Sequence, residues 1–487
     1  MKSFLLSAVL CGFFLRADAQ VSFTLSSSPV VGGAPAGVTA ADVNGDGRVD
    51  LLSANSGTDT ISILTNNGSG GFALADSPVS GNSPHSAVLA DLNNDGKLEM
   101  VTANYADGTV SILTNNGSGG FVTSVLITTA GAGTCSAIVA DVNGDGKPDL
   151  IWANYGLGNG NQLSIYTNNG AGGFVLASSP VVGAGPVCVV AAHINGDNKV
   201  DLVSANLGSS TLSILTNDGT GNFVLAASPT VGSQPYWVTA ADVNGDGKVD
   251  LISANRGGNS LTVLTNNGSG GMVLSATLSV GRGPQGVVAA DVNGDGSLDL
   301  ISANGIDSTV TVLTNNGSGG FTLAATVNVG YGPVAVTAAD VNGDGKPDLI
   351  TANVGTDTLT VLTNGTVFPA APPTIVAEPV GQTNAVGYGA SFTVQAAGTP
   401  PMAYQWQLAG TNLPGATNSV LALTNLALSQ GGLYDVVVTN GFGSATSTPA
   451  ILDVQFILVE VNGQFDLGTA MALAPASVSI LGGYPGG

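Results

Sequence analysis

One pattern of apolar and polar positions repeats seven times along the chain. In the first copy an apolar run at residues 37–41 (GVTAA) precedes a polar loop, a second run at 50–55 (DLLSAN) and an alternating run at 60–65 (TISILT). An Asn-Asn-Gly turn and a Gly-Phe segment complete the copy. Short runs with a period of two, separated by Gly, Asn and Asp, are typical of β-strands. Each copy therefore predicts a four-stranded antiparallel sheet, with Asn-Gly type I′ turns before the last strand.

The spacing of the copies predicts the architecture. Their polar loops begin at residues 42, 91, 141, 193, 242, 291 and 340, in steps of 49 to 52 residues. A period near 50 with four strands per copy is typical of β-propeller blades, whereas the coils of a parallel β-helix are much shorter. The predicted fold class is therefore all-β, with a seven-bladed β-propeller over residues 20–368.

The first and last copies are expected to share one blade. The last copy stops after residues 358–363 and lacks the final strand, whereas residues 21–25 (VSFTL) match that strand in other copies, such as 320–323 (GFTL). We therefore expect the N-terminal segment to complete the seventh blade and to leave no open sheet edge.

The N-terminus has the pattern of a signal peptide. Lys2, an apolar run at residues 4–15 and Ala-Asp-Ala at 17–19 predict cleavage after Ala19. The run is shorter than the roughly 20 residues that a membrane anchor needs. A secreted or cell-surface protein without a membrane span is expected. Cys135 and Cys188 would then be the remaining cysteines. We expect two buried free thiols; one disulfide between these neighbouring repeats is the alternative.

The charge of the chain excludes some partners. The formal net charge is −22, which repels phosphate backbones and anionic lipid, so neither nucleic acid nor a membrane surface is expected as a partner. Much of the acidity is concentrated in the repeated loops, such as DVNGDGKPDL at residues 141–150. Six of these loops hold 18 of the 32 acidic residues.

The acidic loops have the spacing of calcium ligands. Oxygen-bearing side chains fall at loop positions 1, 3, 5 and 9 with Gly at position 6, as in the first nine positions of an EF-hand loop, and position 7 offers its backbone carbonyl. Metal-free Asx turns are the alternative, but three carboxylates a few ångströms apart would raise each other's pKa and destabilise the fold. The sequence therefore predicts about six Ca²⁺ ions. The expected ligand positions are Asp42, Asn44, Asp46, Arg48, Asp50, Asp91, Asn93, Asp95, Lys97, Glu99, Asp141, Asn143, Asp145, Lys147, Asp149, Asp242, Asn244, Asp246, Lys248, Asp250, Asp291, Asn293, Asp295, Ser297, Asp299, Asp340, Asn342, Asp344, Lys346 and Asp348.

The fourth loop, from His193 to Asp201, departs from this pattern. It has His193 at position 1 and Asn198 in place of the Gly at position 6. Because imidazole is a poor ligand for Ca²⁺, this loop is expected to be empty or weak.

Taken together, the repeats over residues 21–368 resemble the FG-GAP, or VCBS, family of the integrin α-subunit propeller. The resemblance implies a seven-bladed propeller with Ca²⁺ in hairpin loops on one face and a role in extracellular recognition and adhesion. Some fungal and bacterial members of the family bind sugars.

The face opposite the acidic loops is the expected ligand face. It gathers the segment before each first strand and the turn after each second strand. Nine large residues fall there: His85, Tyr105, Tyr155, Tyr236, Trp237, Arg256, Arg282, Gln285 and Tyr331. Aromatic rings stack on sugars, and Arg or Gln bonds hydroxyl groups, so an extracellular glycan or protein is the expected partner of a monomeric chain. Chance variation of loop residues is the alternative.

The C-terminal part has a different pattern. Residues 369–373 (PAAPP) predict a stiff linker. Residues 374–454 resemble an immunoglobulin-like domain, with Trp406 and the corner tyrosine Tyr434 in its pattern and Val at both cysteine positions of the family. Residues 455–487 are an unassigned tail, for which a truncated domain is one interpretation.

Catalysis is not expected. After signal cleavage His85 and His193 are the remaining histidines, and the chain has no Gly-x-Ser-x-Gly, His-Glu-x-x-His or P-loop motif. The expected function is calcium-dependent recognition or adhesion outside the cell. Two alternatives stay open: a structural surface repeat protein without a small ligand, and the non-catalytic targeting part of a secreted polysaccharide-degrading enzyme.

Overall fold

The structure is a computed structural model that describes residues 21–128, 133–158, 160–170, 172–368, 370–424 and 426–455. The predicted signal peptide and residues 456–487 of the tail lie outside these ranges. Within them the regular structure is β-strand, apart from single-turn 3-10 helices at Gly156–Gly158 and Leu428–Gln430. No helix in the described ranges is long and apolar enough to cross a membrane.

Seven four-stranded antiparallel sheets, here called blades one to seven, account for the repeats. Their strands, numbered in chain order, begin with β1 (Phe23–Ser27). Blade one contains β2 (Pro35–Ala41), β3 (Asp50–Asn55), β4 (Thr60–Asn66) and β5 (Phe72–Asp76). Blade two contains β6 (Pro84–Ala90), β7 (Glu99–Asn104), β8 (Thr109–Asn115) and β9 (Phe121–Thr128). Blade three contains β10 (Thr134–Ala140), β11 (Asp149–Asn154), β12 (Gln162–Asn168) and β13 (Phe174–Ser178). Blade four contains β14 (Pro186–Ala192), β15 (Asp201–Asn206), β16 (Thr211–Asn217) and β17 (Phe223–Ala227). Blade five contains β18 (Pro235–Ala241), β19 (Asp250–Asn255), β20 (Ser260–Asn266) and β21 (Met272–Ser279). Blade six contains β22 (Pro284–Ala290), β23 (Asp299–Asn304), β24 (Thr309–Asn315) and β25 (Phe321–Asn328). Blade seven contains β26 (Pro333–Ala339), β27 (Asp348–Asn353) and β28 (Thr358–Asn364), together with β1.

The blades form a closed ring. The first strand of each blade contacts the first strands of both neighbours, and β2 meets β26 where the ring closes. The buried apolar side chains lie between blades, as where Leu51 of blade one packs with Ile350 and Val361 of blade seven. The all-β propeller predicted from the repeats is therefore the observed architecture.

The N-terminal strand closes the seventh blade, as predicted. Strand β1 pairs antiparallel with β28, with Phe23 opposite Asn364. Beside this pairing the Ser22 N–H donates to Thr366 Oγ1 at 3.0 Å, and Val21 is buried against Leu362. The ring is thus fastened by chain segments more than 300 residues apart.

The predicted type I′ turns are wrong. The β4–β5 connection is a five-residue loop, residues 67–71, in which Gly68 and Gly70 have φ of 83° and 77°. The side-chain oxygen of Asn67 accepts hydrogen bonds from the N–H groups of Ser69 (2.9 Å) and Gly71 (3.1 Å). The asparagine therefore organises a wider loop through its side chain rather than adopting a positive φ itself.

A second β-structure follows the propeller. Its main sheet contains β30 (Gln382–Ala385), β33 (Ala403–Leu408), β34 (Thr411–Asn412), β36 (Gly432–Asn440), β37 (Gly443–Thr446) and β38 (Ala450–Gln455). The shorter pairs are β29 (Thr374–Ala377) with β32 (Gln395–Ala397), and β31 (Ala390–Thr393) with β35 (Val420–Leu423). We call this unit the C-terminal sandwich.

The core of the C-terminal sandwich surrounds Trp406. Its indole is fully buried with Val394 and Val436, the two valines that stand at the cysteine positions of the resembled family. The Tyr434 hydroxyl donates to the backbone oxygen of Gln430 at 2.7 Å, which is the corner arrangement expected from the sequence. Apolar packing thus occupies the place of a disulfide.

Candidate functional site

The acidic loops curl around their own side chains at one end of the propeller. In the first loop one oxygen of Asp42 accepts from the Gly47 N–H at 2.8 Å. Asn44 Oδ1 accepts from the Asp46 N–H and Asp46 Oδ1 from the Arg48 N–H, both at 2.9 Å. A φ of 82° at Gly47 permits this curl, which most side chains would resist. Positions 1, 3 and 5 are therefore brought together as the spacing predicts.

The ninth-position carboxylate has a structural role that sequence reasoning missed. Asp50 is fully buried and accepts hydrogen bonds from the N–H groups of Val43 (3.2 Å) and Asn66 (2.9 Å), which ties the loop to the third strand. In the degenerate fourth loop, Asp201 likewise accepts from the N–H groups of Ile194 and Asn217. This bonding therefore does not depend on a carboxylate at position 1 or on Gly at position 6.

Burial governs the charge of these carboxyl groups. Desolvation is the largest cause that raises the pKa of Asp149 and Asp348 to about 6 and that of Asp299 to about 7; the carboxylates at positions 1 and 5 add to the shift. The same causes raise the pKa of Asp50, Glu99 and Asp250. A nearby cation would favour the charged form and oppose this effect.

Three-carboxylate clusters are not formed. In the described parts of the chain, no group of three or more His, Cys, Asp or Glu side chains is arranged to hold a metal ion. The ninth carboxylate instead turns to backbone N–H groups, as Asp50 does. A Ca²⁺ ion in these loops would draw mainly on the side chains at positions 1, 3 and 5 and on the backbone carbonyl at position 7.

The fourth loop tests whether that donor set converges. His193 at position 1 places Nδ1 2.9 Å from the backbone oxygen of Lys199 at position 7, so these two positions face each other across the loop. In the intact loops a carboxylate replaces the imidazole and cannot hydrogen-bond to a carbonyl oxygen. Two facing oxygen acceptors suit a hard cation, so the intact loops fit Ca²⁺ and the fourth does not.

The basic side chains at position 7 lie at the loop surface. Lys147 Nζ is 3.5 Å from Asp145 and Lys248 Nζ is 3.5 Å from Asp246, in solvent-exposed pairs that stabilise by about 1 kcal/mol or less. A Cβ atom at Gly68 would lie 3.0 Å from Arg48 Nε, so this side chain leans towards the neighbouring Asn-Gly loop. The position-7 side chains therefore point away from the loop interior, and the backbone carbonyl is the group that this position could offer to a cation.

Four of the nine predicted ligand residues meet at the other end of the ring. His85 stacks on Tyr105 with ring centroids 4.5 Å apart, and Tyr155 follows at 6.2 Å from Tyr105. Burial raises the pKa of Tyr236 to about 12, with smaller contributions from Cys135, Tyr105 and Tyr155. We call His85, Tyr105, Tyr155 and Tyr236, at the end of the ring axis opposite the acidic loops, the axial cluster.

A bulge at the start of each first strand positions this cluster. The pairing register shifts after Pro84 and Pro235, so the residue that follows each proline leaves the regular ladder. These residues line a cavity of about 150 Å³ together with Cys135. The seven equivalent positions are Ala36, His85, Cys135, Val187, Tyr236, Gln285 and Val334. Cys135 was not predicted there, although it occupies the same place in its repeat.

Trp237 lies both at the axial cavity and between blades. Its half-buried indole packs against the apolar cluster between blades four and five and against the one between blades five and six. The bulge turns Tyr236 towards the axis, and the next residue in the strand therefore points into the blade interface. Trp237 thus borders the axial cavity and also contributes to the packing between blades.

The other predicted ligand residues do not join the axial cluster. Arg282 Nε donates to Asp307 Oδ1 at 2.6 Å, Tyr331 lies on Gly355, and Gln285 lies on Gly305. Arg256 is exposed, and its charge acts to lower the pKa of Tyr236.

The two thiols are not bonded to each other. Cys135 and Cys188 are both free, and burial raises the pKa of each to about 12. Because the thiolate is the nucleophile, neither thiol is suited to nucleophilic catalysis.

Comparison with known proteins identifies the repeats. The FG-GAP-like repeat profile matches residues 42–102, 91–152, 141–203, 193–253, 242–302 and 291–351, well over half of the chain. Endoglucanase C of Cellulomonas fimi is 36% identical over 87 residues, which are 17% of this chain and 8% of that protein. The chain thus matches only a small part of that relative.

Three solved structures are similar to parts of this chain. A protein from Lactobacillus plantarum is 18% identical with a TM-score of 0.49, covering 62% of this chain and 86% of its own. A functionally unknown protein from Desulfotomaculum acetoxidans is 13% identical with a TM-score of 0.46, covering 65% and 98%. The titin M4 structure is 23% identical with a TM-score of 0.17, covering 18% and 99%.

Proposed function

The chain belongs to the FG-GAP-like repeat family, and we propose that it is a secreted, monomeric, calcium-binding recognition protein without catalytic activity. Its ligand is a saccharide chain that binds at the axial cluster. The observation that carries this proposal is that His85 and Tyr236 line one cavity although they come from blades two and five. Tyr105 stacks on His85, and Tyr155 of blade three lies beside Tyr105.

Calcium binding is supported by the donor set of the six intact loops. Carboxylate and amide oxygens at positions 1, 3 and 5 are gathered by the same hydrogen bonds in the loops from Asp42, Asp141 and Asp340. The ion would reduce the repulsion between carboxylates and would bind the folded form only. Calcium therefore stabilises the propeller, and linkage requires the free energy of unfolding to rise with the logarithm of the free calcium concentration once that exceeds the dissociation constant.

The chemistry of the axial cluster favours a neutral sugar. Stacked rings offer apolar faces to C–H groups, and the hydroxyl groups of Tyr105, Tyr155 and Tyr236 offer hydrogen bonds. The pKa of His85 is lowered to about 4 by burial, so the imidazole is neutral at physiological pH and does not attract an anion by charge. The cavity of about 150 Å³ is smaller than a typical ligand pocket. It accommodates the end of a chain rather than a whole oligosaccharide.

The partial likeness to Endoglucanase C supports a polysaccharide as the source of that sugar. It also favours a second candidate function, in which this chain is the non-catalytic targeting part of a polysaccharide-degrading system. Both candidates require saccharide binding, and they differ in whether the natural ligand is an insoluble polymer.

A glycan array followed by calorimetric titration tests the proposal. Tyr105→Ala and Tyr236→Ala should each weaken binding of the best array ligand by about 1–3 kcal/mol, the usual cost of losing an aromatic anchor. Tyr331→Ala is the matched control, because this tyrosine lies on the same face outside the cluster and is 66% exposed. Lys147→Ala on the opposite face should also leave affinity unchanged. Equal losses in all four variants, or no ligand on the array or on insoluble polysaccharides, would contradict the proposed site.

A further inference from the structure

The C-terminal sandwich covers one side of the acidic-loop face. A Cβ atom at the position-6 glycines Gly146 and Gly296 would lie 2.6 Å from Tyr388 Cδ1 and Ala397 Cβ, respectively. The corresponding distance at Gly345 is 2.7 Å, to Pro400 Cβ. By contrast, the same glycines of loops one, two and five have no atom within 4 Å of such a Cβ: Gly47, Gly96 and Gly247. Loops three, six and seven are therefore in contact with the sandwich, and loops one and two are open.

The linker is held at both of its ends. On the propeller side the Phe368 ring lies on Gly294 of loop six, is 9% exposed and has Lys346 Nζ 5.6 Å from its centroid. On the sandwich side the Ala371 N–H donates to Thr399 Oγ1 at 2.6 Å, and Asn440 Nδ2 donates to the Ala371 oxygen at 2.8 Å. These contacts fix both ends of the linker to the units that it connects.

Loop six is the most covered acidic loop and lacks a basic residue of its own. Ser297 stands at position 7, where the other six loops have Lys or Arg. Asn293 is 2% exposed, and the covering atoms from Phe368, Val376 and Ala397 are apolar. Placing apolar groups over ionised carboxylates is costly unless an opposite charge accompanies them.

We propose that the propeller and the C-terminal sandwich form one rigid unit only when the negative charge of loop six is neutralised, which bound calcium does in the wild-type chain. This inference rests on the proposed calcium binding and adds a consequence for the arrangement of the chain. Loaded, the loop has its carboxylates neutralised and receives Phe368 and the sandwich. Unloaded, its charge opposes the apolar cover, and the sandwich separates on the linker. Loop one, whose position-6 Gly47 has no atom of the sandwich beside it, has no such effect.

Small-angle X-ray scattering of the mature chain, with calcium and with EGTA, tests this coupling. The wild type should be compact with calcium and should gain radius of gyration and maximum dimension in EGTA. Asp291→Asn/Asp295→Asn removes the charge of loop six, so this variant should stay compact in EGTA. Asp42→Asn/Asp46→Asn makes the same change in the uncovered loop one and should open in EGTA like the wild type. Identical behaviour of the two variants would overturn the proposal.

A second variant guards against misfolding of loop six. Phe368→Ala removes the linker contact without touching a ligand position and should open the chain even with calcium; a compact Phe368→Ala chain would also overturn the proposal. Equilibrium dialysis of ⁴⁵Ca on the same samples separates the two levels of inference. If calcium binds but the radius of gyration does not change, the coupling between loop six and the sandwich is refuted and the proposed function is not. If no calcium binds, the proposed calcium-binding function is refuted as well.

Discussion

The ninth-position carboxylates offer a direct test of how structure and metal binding share the acidic loops. Asp201 belongs to the degenerate fourth loop, and Asp50 is its counterpart in the intact first loop. Both are fully buried, and each accepts from a backbone N–H group in the loop and from one at the end of the third strand. Asp201 also accepts from the Asn195 N–H at 3.3 Å. We therefore compare Asp201→Asn with Asp50→Asn.

The expected magnitude follows from the hydrogen bonds. Asparagine retains one acceptor oxygen but presents an NH₂ group where the second carboxylate oxygen accepted from backbone N–H, and the bonds at these two sites are 2.9 to 3.3 Å long. Leaving a buried donor unsatisfied costs about 1–3 kcal/mol. Asp201→Asn should lose this amount equally with calcium and with EGTA, since no ion is expected in its loop. Asp50→Asn should lose more with calcium, because its charge lies beside the proposed ion.

Urea unfolding monitored by Trp fluorescence gives the free energies of unfolding under both conditions. An Asp201→Asn chain as stable as the wild type would refute the structural role of the ninth carboxylate. A calcium-dependent loss at Asp201 would show that the fourth loop binds an ion after all. Equal losses for Asp50→Asn in calcium and in EGTA would argue against an ion in the first loop.

Three further predictions concern the ring and its aromatic end. Deleting residues 21–30 should destabilise the chain by about 3 kcal/mol or more, because the buried contacts of Val21 and Phe23 are lost. The deletion should also cause aggregation through the exposed edge of β28. A deletion chain as stable and soluble as the wild type would contradict the shared blade. Trp237→Ala should cost about 2 kcal/mol of stability in urea unfolding, because the indole is half-buried between blades, whereas Tyr331→Ala should change it by less than about 0.5 kcal/mol. His85 has its pKa lowered from 6.5 to about 4, so the unfolded chain binds the proton first and stability falls as the pH drops from 6.5 towards 4. In His85→Gln the free energy of unfolding should fall by about 1–3 kcal/mol less than in the wild type over this pH range. Superimposable plots of the free energy of unfolding against pH for the two chains would contradict the burial of the imidazole.

The propeller was predictable because its signals are local and repeated. Turn residues and the period-two pattern recur at each step, and the missing last strand has a visible match at residues 21–25. The pairing of β1 with β28 follows from that match. The type I′ turns were wrongly predicted because Asn67 has two ways to shape a turn, and only the structure shows that its side chain is used.

The ligand face was less predictable because its geometry depends on one bulge per blade. Sequence spacing places Tyr236 and Trp237 on the same face, yet the register shift after Pro235 sends one to the axis and the other between blades. Cys135 is missed for the same reason. The position of the C-terminal sandwich on loops three, six and seven has no periodic signal, although Ser297 in loop six is a visible departure from the repeat.

Calcium stoichiometry tests the central claim most directly. Equilibrium dialysis of the mature chain should find six ions, and Asp42→Asn/Asp46→Asn should lower the count to five. His193→Asp/Asn198→Gly rebuilds the fourth loop; the backbone there is already suited to glycine, since Asn198 has a φ of 61°. The account predicts that this double variant binds seven ions. No calcium binding by the wild type, or an unchanged count in both variants, would contradict it.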